Sequence, residues 1–106
     1  MLELSRISTL SGVKGTVLSD LNGGLLDAVG EPDGESIAAV AGFLASTLAE
    51  AGEELGLGTL HRMSFGGRTR AWLMVGGDGL LTVVSIEPAA ALAAVERAVE
   101  SFAQER

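Results

Sequence analysis

Glu35-Ser36-Ile37-Ala38-Ala39-Val40-Ala41-Gly42-Phe43-Leu44-Ala45-Ser46-Thr47-Leu48-Ala49-Glu50-Ala51-Gly52-Glu53-Glu54-Leu55 is the stretch on which the fold turns. Ile37, Val40, Leu44, Leu48, Ala51 and Leu55 recur at three- and four-residue steps, the period of one helix face. The spacing predicts a helix of about five turns, stopped by Gly56 and Gly58. A second apolar stripe consists of small residues: Ala38, Gly42, Ala45, Ala49 and Gly52. At about 100° per residue the two stripes lie about 110° apart, so one sheet covers only one of them well. The large stripe removes more apolar area from water, at roughly 25 cal/mol per Å², and is expected to face the sheet. The small stripe is then left for another close neighbour. A glycine inside a helix costs roughly 0.5–1 kcal/mol relative to alanine, which a close backbone approach can offset. That neighbour is either the same helix of a second copy or the chain's own loops and lead-in helix. Phe43 projects with Ser46, Thr47 and Glu50, opposite the apolar stripes, and reads as a contact residue for a dimer mate or partner.

Working outward, Leu2, Ile7 and Leu10 suggest a short lead-in helix ended by Gly12. Val13 to Ser19 reads as a strand, Asp20-Leu21-Asn22-Gly23 as a hairpin turn, and Gly24 to Val29 as the returning strand. After the long helix, Thr59 to Phe65 reads as a third strand, Gly66-Gly67 as a two-residue turn, and Arg68 to Val75 as a fourth strand. Gly76-Gly77-Asp78-Gly79 makes another turn into Leu80 to Ile86, the most apolar strand and therefore the expected centre of the sheet. Pro88 suits the first turn of a last helix that packs through Leu92, Val95, Val99 and Phe102. The hairpin turns make strands one and two, and three to five, antiparallel. The class is α/β in the α+β sense: one antiparallel sheet with helices against it.

The 106 residues suit a single domain over 1–106. A net charge of −7 repels phosphate backbones and anionic lipid surfaces, so neither nucleic acid nor membrane is an expected partner. The absence of cysteine excludes thiolate catalysis, disulfides and cysteine-based zinc sites. The first seven residues lack a signal-peptide core, and no apolar run reaches the roughly 20 residues of a membrane span, so the expected setting is cytoplasmic.

Catalytic motifs do not emerge. Asp20-x-Asn22-Gly23 is similar to the opening of a calcium loop, with Glu31 at the twelfth position, but Leu25, Leu26 and Ala28 favour a hairpin. The glycine pairs at 23–24, 66–67 and 76–77 are not followed by Lys-Ser/Thr and open no helix, so they read as turns rather than phosphate loops. His61 reads as a surface or edge residue. Arg62, Arg68 and Arg70 form the only basic cluster, on the third and fourth strands, and read either as a solvated face or as a patch for an acidic partner. Strict alternation puts Arg70, Trp72 and Met74 together. That face is either a binding surface, since Trp and Arg are frequent hot spots, or the side covered by a helix. Neither an enzyme nor a cofactor is expected; protein binding is.

Gly12-Val13-Lys14-Gly15-Thr16-Val17-Leu18-Ser19-Asp20, then Asn22-Gly23, then a helix rich in small residues, resembles the roadblock family of dynein-light-chain-related proteins. The glycine-rich turn into the apolar strand at 76–86 and the final helix agree, so the resemblance runs from residue 12 to about 102. It implies a roadblock/profilin-like fold, with a five-stranded antiparallel sheet between the long helix on one side and the terminal helices on the other. It implies pairing, as a homodimer or with another roadblock protein, through the long helices and the third strands. Ala38, Gly42, Ala45, Ala49 and Gly52 of the helix, with His61 and Met63 of the third strand, would form that interface. It also implies a platform for a Ras-like small GTPase of the gliding and cell-polarity type, with GTP hydrolysis affected in some relatives without a donated arginine. Phe43, Arg62, Arg68, Arg70 and Trp72 are the candidate partner contacts. The rival expectations are a structural adaptor indifferent to nucleotide and, against the residue inventory, a small-molecule sensor with a concave polar pocket.

Overall fold

The turn after the first strand sets the first corner of the sheet. Asp20 Oδ1 accepts hydrogen bonds from the backbone N–H groups of Asn22 and Gly24, both at 2.8 Å, and Gly23 has φ +88°. That carboxylate-stapled reversal joins two antiparallel strands. A computed structural model of the chain describes residues 4–59 and 61–104. In chain order these form α1 (Leu4–Ser8), β1 (Val13–Asp20), β2 (Leu25–Val29), α2 (Gly34–Glu54), β3 (Arg62–Gly66), β4 (Ala71–Gly77), β5 (Leu80–Ile86), a 3₁₀ turn (Ala89–Ala91) and α3 (Leu92–Gln104). Leu2 and Leu60, assigned above to the lead-in helix and third strand, lie outside the described residues.

The five strands make one sheet in the order β2-β1-β5-β4-β3, every neighbouring pair antiparallel. The expected central position of Leu80–Ile86 holds. The β4–β5 hairpin turns on Asp78 and Gly79, both at positive φ, with Gly77 opposite Leu80. The β3–β4 hairpin differs from expectation. β4 begins at Ala71, not Arg68, and Gly67 N–H donates to Arg70 C=O at 2.8 Å. Phe65 therefore pairs with Trp72 and Arg62 with Val75, so Arg68 lies in the turn and Arg70 just before the strand.

Each face of the sheet carries its own cluster. On one, Ala71, Leu73, Val84 and Ile86 meet Ile7 of α1 and Val95 and Val99 of α3, with Leu92 and Phe102 packed at the margin. On the other, Val17, Met74, Leu81 and Val83 meet Ala38 and Ala41 of α2. This is the expected layering.

The orientation of α2 is opposite to expectation. Its small residues face inward: Ala38, Ala41, Gly42 and Gly52 are buried, and Ala45 and Ala49 are half-buried. The large stripe is left at the margin, with Val40 58% and Leu55 75% exposed and Ile37, Leu44 and Leu48 half-buried. The reason is steric. A Cβ on Gly42 would lie 2.6 Å from both Cα and N of Gly23, so helix backbone rests directly on the β1–β2 turn. Ranking the stripes by area ignored that closeness of approach. The close neighbour of the small stripe is the chain's own hairpin, one of the alternatives the sequence left open. Ala38, Gly42 and Gly52 are thus interior residues and not an outward dimer surface.

Candidate functional site

α2 packs on β1, β2 and β5 and, among the described residues, leaves β4 and the edge strand β3 without a helix on that side. Alternation along β4 sends Trp72 and Met74 to the α2 side and Leu73 to the α3 side. Cross-strand pairing then sets Phe65 beside Trp72 and Met63 beside Met74. The result is a groove of about 660 Å³. Ile37, Val40, Ala41 and Leu44 form its helix wall, and Phe65, Trp72, Met74 and Val83 form its sheet floor. Apolar and aromatic side chains dominate, with a polar end made by Glu31, Asp33, Ser36 and Arg70. At that end the Arg70 guanidinium stacks over the Trp72 ring, 5.2 Å from its centroid, and the buried Arg70 Nε has no hydrogen-bond acceptor among the described residues.

A second cavity of about 700 Å³ continues along the C-terminal half of α2. Ala45, Ala49, Ser46 and Glu53 border it from the helix, His61 and Met63 from the β3 side, and residues 76–79 from the β4–β5 turn. Four of the expected pairing residues, Ala45, Ala49, His61 and Met63, are therefore brought together, while Ala38, Gly42 and Gly52 are not accessible. β3 itself is a sheet edge, with only Met63 of its five residues less than exposed. An edge of this kind offers unpaired backbone donors and acceptors to another strand.

The expected basic cluster divides. Arg62 is on the α3 side of the sheet, in ion pairs with Glu96 at 3.3 Å and with Glu100. It is engaged within the chain, on the face away from the groove. Arg68 is an exposed turn residue, and only Arg70 joins Trp72 in the groove. Phe43 is 71% exposed on the outer side of α2, as its position among polar residues predicts. Sequence reading missed Ile37, Val40 and Leu44 as a groove wall. The signal was present in the two apolar stripes, one of which had to remain uncovered. Among the described residues no group of three or more His, Asp or Glu side chains is placed to hold a metal, and no helix is long and apolar enough to cross a membrane.

No protein-family model and no curated protein matches the chain. Solved structures do match along nearly its whole length. MglB of Myxococcus xanthus matches with TM-score 0.82 and 19% identity over 94% of this chain and 85% of that one. An MglB with a tetrameric arrangement gives TM-score 0.78 and 20% identity over 95% and 82%. The roadblock/LC7 domain from Streptomyces avermitilis gives TM-score 0.73 and 18% identity over 95% and 94%. The chain has the roadblock/LC7 fold, as the resemblance seen in its sequence implied.

Proposed function

We propose that the chain is a single roadblock-family domain that acts as a non-catalytic scaffold in the cytoplasm. In this reading it pairs with a second copy or another roadblock protein and serves as a platform for a Ras-like small GTPase of the polarity and gliding type. The observation that carries the reading is the unfinished α2 side of the sheet. There an open strand edge and an aromatic-lined groove lie side by side, and Phe43 stands exposed on the outer side of the helix that borders them. A face of that kind on a folded domain is what a protein-binding surface requires. The tetrameric arrangement of one MglB of the same fold supports self-association or pairing with a relative. No residue is assigned to catalysis and no cofactor is invoked; any effect on GTP hydrolysis would come through the GTPase's own groups.

The test is capture on the immobilised chain from a lysate of its source cells, with GDP or a non-hydrolysable GTP analogue added in parallel. A small GTPase retained only with the analogue supports the platform reading, and hydrolysis assays then measure its effect. Retention of roadblock relatives regardless of nucleotide would replace it with a structural adaptor.

A further inference from the structure

Two buried side-chain polar atoms lack a hydrogen-bond partner among the described residues, Arg70 Nε and Ser85 Oγ. Folded proteins leave few such atoms, and each calls for a reason. Both belong to the same corner of the molecule. Ser85 alternates with Leu81 and Val83 onto the α2 side of β5 and stands opposite Trp72 in the β4–β5 pairing. The Arg70 guanidinium lies over that same Trp72 ring. On its other flank Ser85 stands opposite Gly15 of β1. A Cβ on Gly15 would lie 2.8 Å from Glu31 Oε2, so the Glu31 carboxylate reaches over the strand where a side chain would otherwise stand. One row across the sheet therefore runs Gly15, Ser85, Trp72, Phe65. It passes from a carboxylate, through a hydroxyl, to a stacked guanidinium and then to the apolar floor of the groove.

The charges in this corner do not pair with one another. Glu31, Asp33 and Arg70 all line the polar end of the groove, yet no ion pair among the described residues joins them. Asp33 is the N-cap of α2 but makes no side-chain cap bond, so it leaves the first-turn N–H groups of the helix unsatisfied. A guanidinium and the positive end of a helix thus stand beside two carboxylates. A ligand with only a carboxylate would suit Arg70 and meet Glu31 and Asp33 with like charge. A ligand with only an ammonium would suit the acids and leave Arg70 Nε and Ser85 Oγ as they are. A head group that carries both charges close together satisfies the whole set.

We infer that the groove is a binding site for a zwitterionic α-amino acid with a large apolar side chain. Its carboxylate accepts hydrogen bonds from Arg70 and Ser85, and its ammonium donates to Glu31 and Asp33. Its side chain lies over Trp72 and Met74, against the helix wall. The groove volume of about 660 Å³ falls in the range of small-ligand clefts, roughly 300–1,000 Å³. Every group comes from one chain, so the site is complete in each copy whether or not copies pair. The inference goes beyond the scaffold reading and does not depend on it.

Trp72 is the only tryptophan and lines the groove, so its emission reports occupancy. The experiment titrates the whole chain with L-leucine, N-acetyl-L-leucine, L-leucinamide and glycine. The last three lack, in turn, the ammonium, the carboxylate and the apolar side chain. The expected result is a saturable Trp72 shift with leucine, at an affinity at least about tenfold above that of each comparator. Arg70→Met should weaken leucine at least about tenfold and bring it level with leucinamide. Ser85→Ala removes a buried hydroxyl without changing the shape of the strand. It should weaken leucine about fivefold while the unfolding midpoint stays at or above that of the parent. Absence of a saturable response to leucine overturns the inference. So does any comparator that binds as tightly as leucine, or a leucine affinity that neither variant changes, which would mark nonspecific apolar association. A lowered midpoint for Ser85→Ala also counts against it, since the hydroxyl would then have its partner within the fold. None of these results bears on partner capture, by which the scaffold reading is judged.

Discussion

Leu73 and Trp72 are neighbours in β4 that face opposite sides of one sheet. Leu73 is fully buried under α3 with Val84 and Ile86, in a layer of aliphatic side chains that α1 and α3 close. Trp72 and Arg70 lie half-buried between exposed Phe65 and buried Met74, in a groove that α2 borders without covering. The first side is finished by the chain itself. The second contains residue types that suit an interface: an aromatic pair, an adaptable methionine and a stacked guanidinium. Both faces hold the fold through a buried cluster, but only the half-sealed one also leaves side chains free to bind.

The largest effect expected is on the sealed side. Leu73→Ala should cost about 2–5 kcal/mol, since it leaves a cavity in a closed layer. Trp72→Ala should cost only about 1–2 kcal/mol despite removing more atoms, because part of the ring already meets water. Urea unfolding of both variants checks this; equal losses would erase the distinction between the two faces. A second test concerns how α2 is held. Gly42→Ala improves helix propensity by about 1 kcal/mol, so propensity alone predicts a more stable protein. The added Cβ meets the backbone of Gly23, which has no side chain to move aside. Overpacking at about 1–3 kcal/mol should win, and a lowered unfolding midpoint is expected. A raised midpoint would mean that α2 stands further from the hairpin than described.

These two sites also mark what the sequence disclosed. The hairpins were legible because their corners are chemical: Asp20 caps its own turn, and Asp78-Gly79 supplies two positive φ angles. The central strand was legible because only a strand covered on both sides is apolar on both. The register of β3 against β4 was misplaced, since Gly66-Gly67 looks like a complete two-residue turn while the chain reverses through Gly67–Arg70. The slip is an even number of residues, so every side chain stayed on its expected face. Arg70, Trp72 and Met74 share a face by alternation along their own stretch of chain, which the slip does not touch. The orientation of α2 was not legible by area, because it depends on a backbone contact between residues 19 positions apart, Gly23 and Gly42. With the helix turned, the groove wall and the buried glycines exchanged roles. The grouping of Arg62 with Arg70 failed for a simpler reason: they fall on opposite sides of the pleat.

That separation gives a smaller test. Arg62→Met removes exposed ion pairs to Glu96 and Glu100 and should cost about 0–1 kcal/mol. It should not alter any association made through the groove. Arg70→Met should do the reverse, with little change in stability and a measurable change in binding. Identical behaviour of the two arginines would argue that the faces are coupled.

The smallest effect on stability is expected at Phe43, where the distinction between folding and binding is sharpest. Its ring is 71% exposed, so folding removes little of it from water and little is lost on truncation. Phe and Ser have similar helix propensities, which removes the local contribution as well. Phe43→Ser should therefore leave stability within about 0.5 kcal/mol of the parent. The same change takes a large apolar group from the middle of the α2 face, so association through that face should weaken. Thermal unfolding and partner titration on one preparation separate the two. An unfolding midpoint lowered as far as that of Leu73→Ala would place Phe43 in the core and remove the reason for reading α2 as an open face. An unchanged midpoint with unchanged association would move the docking surface off the outer side of the helix and onto the β3 edge.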